Sequence, residues 1–125
     1  EMAPAMLHAA AFHPGIQRIA LIEPYSSYRS IVANRFYDVK LMYSVVPGAL
    51  TAYDLPDLAA SLAPRKILIT GVTDGYGRHN NLEAMAKDTD VINKAYAQSN
   101  VSGALEIIPF TTAEKYKPYL MEWIK

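Results

Sequence analysis

At 125 residues the chain is close to the usual size of one domain, long enough to bury roughly two-thirds of the surface its unfolded form exposes. Hydrophobic residues make up 51% of it and charged residues 19%, which excludes a disordered tail and requires a substantial core. Lys plus Arg and Asp plus Glu number 12 each, so no net field draws the chain to nucleic acid or to an anionic membrane.

The first residues already carry a helical pattern. Ala5, Met6, Ala9, Ala10 and Phe12 form a small-residue apolar helix that His13, Pro14 and Gly15 end. A helix this close to the first residue makes truncation of a larger protein an expectation. Ile16 to Ile22 follows as a strand, its near-continuous apolar run suited to burial on both faces, and Glu23-Pro24 stops it. From Tyr25 to Tyr53 the periodicity is poor, and a long excursion with one short helix near Ser27 to Arg35 is expected. Asp54-Leu55-Pro56-Asp57 starts the next helix, with Asp54 accepting backbone N–H groups and Pro56 at a position where its missing donor costs little. Leu55, Leu58, Ala59 and Leu62 line its inner face until Pro64.

Lys66 to Thr70 is the second buried strand, and it runs into the turn-rich segment from Gly71 to Gly77. Asn80 or Asn81 caps a helix whose Leu82, Met85, Ala86, Thr89, Ile92 and Tyr96 recur at helical spacing. After Gly103 comes a third strand, Ala104 to Phe110. Thr111 and Glu114 have the spacing of a capping box, ahead of a helix bearing Tyr116, Tyr119, Leu120, Trp123 and Ile124. This alternation predicts a single α/β domain over residues 1–125, a three-layer α/β/α arrangement around a small, mostly parallel three-stranded sheet. So thin a sheet predicts that the first strand takes a neighbour from another chain or a missing segment.

The absence of cysteine removes disulfides and thiolate zinc sites. Glu1-Met2-Ala3-Pro4 lacks the basic start of a signal peptide, and no apolar run reaches the ~18 residues of a membrane span. Neither G-x-G-x-x-G nor a P-loop is present, which disfavours a nucleotide binder. No cofactor or metal is expected: His8 and His13 belong to the first helix and its end, where packing or capping is their role, and neither has a second ligand at metal spacing.

The helix of Ala5 to Pro14, the strand of Arg18 to Glu23, the stretch YDLPDLAASLAPRKILI ending at Ile69, and Gly71-Val72-Thr73-Asp74 together resemble the second half of α/β-hydrolases, in particular bacterial acetyl xylan esterase-like and dienelactone hydrolase-like proteins. The resemblance spans nearly the whole chain. It implies a partial α/β-hydrolase fold, an esterase ancestry, a carbohydrate ester or other small-molecule ligand, a bacterial origin with any export signal outside the chain, and Asp74 as the triad acid of the G-x-x-D pattern. In such enzymes a serine on a strained strand-to-helix turn is activated by a histidine that the acid orients.

Two departures follow. The nucleophile would fall at Glu1 or just before it, and no Gly-x-Ser-x-Gly exists; the loop from Pro109 to Lys115, where the family places its histidine, contains none. His79, five residues after Asp74, is the only substitute base. The chain as it stands is expected to be inactive: a hydrolase fragment that self-associates or joins a missing N-terminal half, or alternatively a non-catalytic domain that binds a ligand or partner. Each residue also has a structural reading: Asp74 as an Asx-type turn former, Glu23 as a solvated strand-end charge, Ser26 and Ser27 as loop serines, and the excursion's tyrosines as partly buried rings with wet hydroxyls rather than a sugar cleft.

Overall fold

A computed structural model describes residues 2–78, 82–108 and 113–125. Helix α1, Ala3–Phe12, leads to strand β1, Arg18–Ile22. The short helix α2, Tyr28–Val32, opens the excursion, which continues through two 3-10 turns at Val39–Ser44 and Ala49–Thr51. Helix α3, Leu55–Ser61, precedes strand β2, Lys66–Thr70; helix α4, Leu82–Gln98, precedes strand β3, Leu105–Ile108; helix α5, Ala113–Ile124, comes last. The three strands form one parallel sheet in the order β1-β2-β3. Arg18 pairs with Lys66 and Ile22 with Thr70, while Ile67 pairs with Leu105 and Thr70 with Ile108. The expected small α/β domain with a parallel sheet is therefore present.

Alternation within the strands sorts the side chains. Ile19, Leu21, Ile67 and Ile69 face a core shared with Leu7 and Ala10 of α1, Leu55 and Ala59 of α3, Leu62, and Ile92 and Tyr96 of α4. Leu68, only 1% exposed, lies outside that cluster and is covered on the other face. There the Arg18 guanidinium donates to the carbonyls of Trp123 and Ile124, which brings the end of α5 to the start of β1. On the core face, the Arg65 guanidinium donates to the carbonyls of Ala10, His13 and Ile16, fixing the turn between α1 and β1. The Tyr96 hydroxyl donates in turn to the Arg65 carbonyl.

Several expectations need correction. β1 begins at Arg18 rather than Ile16, because Ile16 is still in the turn, its N–H bonded to the His13 carbonyl and its own carbonyl taken by Arg65. β3 begins at Leu105, since Ser102–Ala104 forms a 3-10 turn. Ala86 is exposed, not part of the buried stripe of α4, which runs through Met85, Ile92 and Tyr96. In α5 the inner row is Tyr116, Leu120 and Trp123; Tyr119 and Ile124 are exposed, and Pro118 is accommodated within the helix. The caps expected at Asn80 or Asn81 and at Thr111 lie outside the described residues, as does the end of the third strand at Phe110.

Candidate functional site

Beyond the strands proper, β1 and β2 stay side by side for a few more residues. Thr73 N–H donates to the Pro24 carbonyl and Ser26 N–H to the Thr73 carbonyl, both at 2.9 Å, around a bridge between Tyr25 and Thr73. This extension carries the start of α2 up against the turn that follows β2. Gly75 is the point of closest approach. A Cβ there would stand 2.3 Å from the Ser30 carbonyl oxygen and 2.7 Å from Ile31 Cα, so only glycine fits. Asp38 N–H donates to the Gly75 carbonyl at 3.0 Å and ties the excursion to the same turn.

Asp74 sits at the centre of this arrangement, 6% exposed. Its Oδ1 accepts the N–H groups of Tyr76 and Arg78, each at 2.9 Å, while its own N–H donates to the Arg78 carbonyl at 2.8 Å. Gly77 closes the turn with φ +82° and donates to the Asp74 carbonyl. This is the Asx-turn geometry that a short acidic side chain supports. Arg78 lies over the Tyr76 ring, 4.1 Å from its centroid. His79 lies outside the described residues.

Asp74 also borders a cleft of about 300 Å³ at the C-terminal ends of the strands, with Ser27, Arg29, Ser30 and Asn34 on one side and Lys87 and Asp88 of α4 on the other. Parallel sheets place their ligand sites at this end. The cleft carries charges of both signs and two hydroxyls, a lining suited to a polar ligand. A smaller apolar crevice of about 30 Å³ lies among Leu7, Leu21, Leu55, Ile69 and Ile92, with room for little more than a methyl group or a water molecule.

Ser27 in this cleft is a helix cap: its Oγ accepts the Ser30 N–H at 3.0 Å, and the residue is 2% exposed. No histidine among the described residues lines the cleft, so the described residues do not bring a hydroxyl, a histidine base and an acid together there. Beneath it, Asp54 does more than cap α3. Oδ1 accepts the N–H of Tyr28 at 2.6 Å and of Leu55 at 2.7 Å, Oδ2 accepts that of Arg29 at 3.1 Å, and the Asp57 carboxylate returns a bond from the Asp54 N–H. One buried carboxylate thus holds the starts of two helices.

The remaining sequence candidates do not line this cleft. Glu23 is exposed with φ +52°, turning the chain out of β1 as its N–H bonds to the Thr70 carbonyl. His8 Nδ1 lies 2.7 Å from the Pro4 carbonyl, which makes that nitrogen the donor, so Nε2 accepts from the Tyr53 hydroxyl at 2.8 Å. His13 Nδ1 accepts the Gly15 N–H. Tyr25 and Tyr28 correct the expectation of wet hydroxyls. Both are buried; Ser44 Oγ donates to the Leu41 carbonyl and accepts from the Tyr25 hydroxyl, and the Tyr28 hydroxyl donates to the Ser44 carbonyl. Burial pushes the Tyr25 hydroxyl up to about 12 and raises that of Tyr28 as well.

Arg29, Lys87 and Asp88 were not foreseeable as site residues, because the cleft they border exists only once the fold sets α2 and α4 on its opposite sides. Among the described residues no group of three acidic or histidine side chains could hold a metal ion, and no helix is long and apolar enough to cross a membrane. No protein-family model matches the chain, and neither the curated proteins nor the solved structures compared with it give a match.

Proposed function

We propose that this chain is the acid-bearing part of an esterase-type α/β-hydrolase fold, three-layered and single-domain, in which Asp74 is the inherited triad acid and which does not hydrolyse esters by itself. The observation that carries this reading is the place of Asp74: a buried carboxylate in the turn directly after β2, bordering a polar cleft at the C-terminal end of a parallel sheet. A triad acid needs such a position, since burial with fixed hydrogen bonds lets it orient a histidine without wandering. The nucleophile and the base are not supplied among the described residues of the cleft, and His79 is the one histidine close in sequence to the acid. The ligand class that suits the reading is a small ester or carbohydrate ester.

The test is hydrolysis of p-nitrophenyl acetate by the purified chain. The expected rate equals that of a heat-denatured control. Turnover above the control that Asp74→Ala abolishes would overturn the proposal of an incomplete site.

A second reading has its own support. Asp74 Oδ1 is already engaged by two backbone N–H groups, as in a turn built for shape rather than for catalysis. On that reading the chain is a non-catalytic domain that binds a polar ligand or a partner in the same cleft. Titration with acetylated xylo-oligosaccharides, followed by NMR shifts of the Arg29 and Lys87 amides, separates the two: saturable binding that survives Asp74→Asn, without turnover, favours the binding domain.

A further inference from the structure

Two turns at the border of the polar cleft are built alike. Asn34 and Asp74 both line it, and each holds the backbone N–H of an aromatic residue two positions on: Asn34 Oδ1 that of Phe36 at 3.1 Å, Asp74 Oδ1 that of Tyr76 at 2.9 Å. Phe36 is 67% exposed and Tyr76 46%. Each ring has an arginine over it, the Arg35 guanidinium 5.7 Å from the Phe36 centroid and the Arg78 guanidinium 4.1 Å from that of Tyr76. The bond from Asp38 N–H to the Gly75 carbonyl joins the two turns, so the arginine–aromatic pairs stand on linked segments beside the cleft.

Charge follows the same layout. The chain is neutral as a whole, yet its excursion from Tyr25 to Tyr53 carries Arg29, Arg35 and Lys40 against Asp38 alone. Arg29 and Lys87, on opposite sides of the cleft, are exposed, and among the described residues neither lies within ion-pair distance of a carboxylate. Asp74 takes its two side-chain bonds on Oδ1, which leaves Oδ2 to accept from a ligand hydroxyl, and Asp88 brings a second carboxylate on the α4 side. The unpaired cations favour an anionic ligand. The exposed rings favour one with an apolar face, and the carboxylates favour hydroxyls over a run of phosphates. A sugar acid has all three: a carboxylate, hydroxyl donors and a C–H face.

We infer that the cleft binds a uronic acid unit of an acidic oligosaccharide, its carboxylate taken by Arg29 and Lys87 and its neighbouring sugar units lying on Phe36 and Tyr76. At about 300 Å³ the cleft is at the small end of ligand pockets and suits a single sugar unit, so selection by charge falls on that unit. Recognition of this kind rests on the cleft being a ligand site, which both readings of Asp74 share, and requires no ester hydrolysis.

The probes are a xylotriose bearing one glucuronic acid and the same oligosaccharide with that carboxyl reduced to the alcohol, titrated into the full chain and followed by amide NMR shifts. The acid form is expected to bind at least about tenfold more tightly at low salt, with shifts at Arg29, Phe36, Tyr76 and Lys87. Arg29→Gln or Lys87→Gln should remove most of that preference while the circular dichroism spectrum is unchanged. Phe36→Ala should weaken both forms alike and keep the preference. Equal affinity of the two forms would overturn the inference and leave the cleft a site for neutral sugars, whereas binding of neither form would remove the cleft as a ligand site altogether. A short oligothymidylate that binds more tightly than the acid oligosaccharide, or inorganic phosphate that displaces it at equal concentration, would overturn the inference in favour of phosphate recognition.

Discussion

The carboxylate of Asp54 accepts the backbone N–H of Tyr28 at 2.6 Å, across 26 positions of chain. That bond, with those from Arg29 and Leu55, makes a single buried side chain responsible for two helix starts and for the return of the excursion to the core. Replacing Asp54 by alanine removes a cap and leaves buried donors unpaired, each costing about 1–3 kcal/mol. Asp54→Ala should lower stability by about 3 kcal/mol in urea unfolding. Asp57→Ala, which removes only the returning bond, should cost about 1 kcal/mol.

Asp74→Asn keeps an acceptor for Tyr76 and Arg78, whereas Asp74→Ala keeps none. The asparagine variant should stay within about 1 kcal/mol of the parent, and the alanine variant should lose about 2 kcal/mol. Amide exchange localises the effect: the Tyr76 and Arg78 N–H groups should exchange faster in Asp74→Ala, with amides of the sheet core unaltered.

Two glycines make a controlled comparison. A methyl group at Gly75 meets backbone atoms of α2, which cannot swing aside as a flexible side chain can. Gly75→Ala should therefore cost about 1–3 kcal/mol and loosen α2 from the turn after β2. Nothing stands within 4 Å of a Cβ at Gly103, and its φ is not in the left-handed region. Gly103→Ala should be neutral or stabilising by about 0.5 kcal/mol. Thermal unfolding of both variants checks the contrast.

Burial pushes the hydroxyls of Tyr25 and Tyr96 up to about 12, from an ordinary value of 10.0. Between those values the unfolded chain has released protons that the folded one still holds. Stability from these residues is complete below pH 10 and falls as pH rises from about 10 to about 12. Urea midpoints across that range should drop with pH, and Tyr25→Phe and Tyr96→Phe should each make the drop shallower.

What could be read from sequence were the features written in local pattern. The runs at Ile19–Ile22 and Ile67–Ile69 marked buried parallel strands, and Asp54 followed by Pro56 marked the start of α3. Asp74 was legible as both a turn former and a site candidate because Gly71 and Gly77 bracket it. Long-range consequences were not legible. Nothing near Asp54 in sequence shows that it will meet Tyr28, and the short helix α2 carries too few turns for a periodicity to reveal which face it buries. The cleft that Arg29 and Lys87 border depends on where α2 settles. The Tyr25 and Tyr28 hydroxyls were misread for the same reason, since their partner Ser44 lies in a 3-10 turn without apolar rhythm.

The guanidinium of Arg65 holds three carbonyls, and the carbonyl of the same residue receives Tyr96. Every group that Arg65 meets in these bonds, apart from the tyrosine hydroxyl, is main chain. Such a clasp is blind to side-chain identity: residues 10, 13 and 16 can drift in sequence without touching it, provided the backbone turn keeps its path. The turn from α1 into β1 is thereby anchored through a single side chain, leaving the opposite end of the sheet, where Asp74 and the cleft lie, free to vary without loosening that anchor.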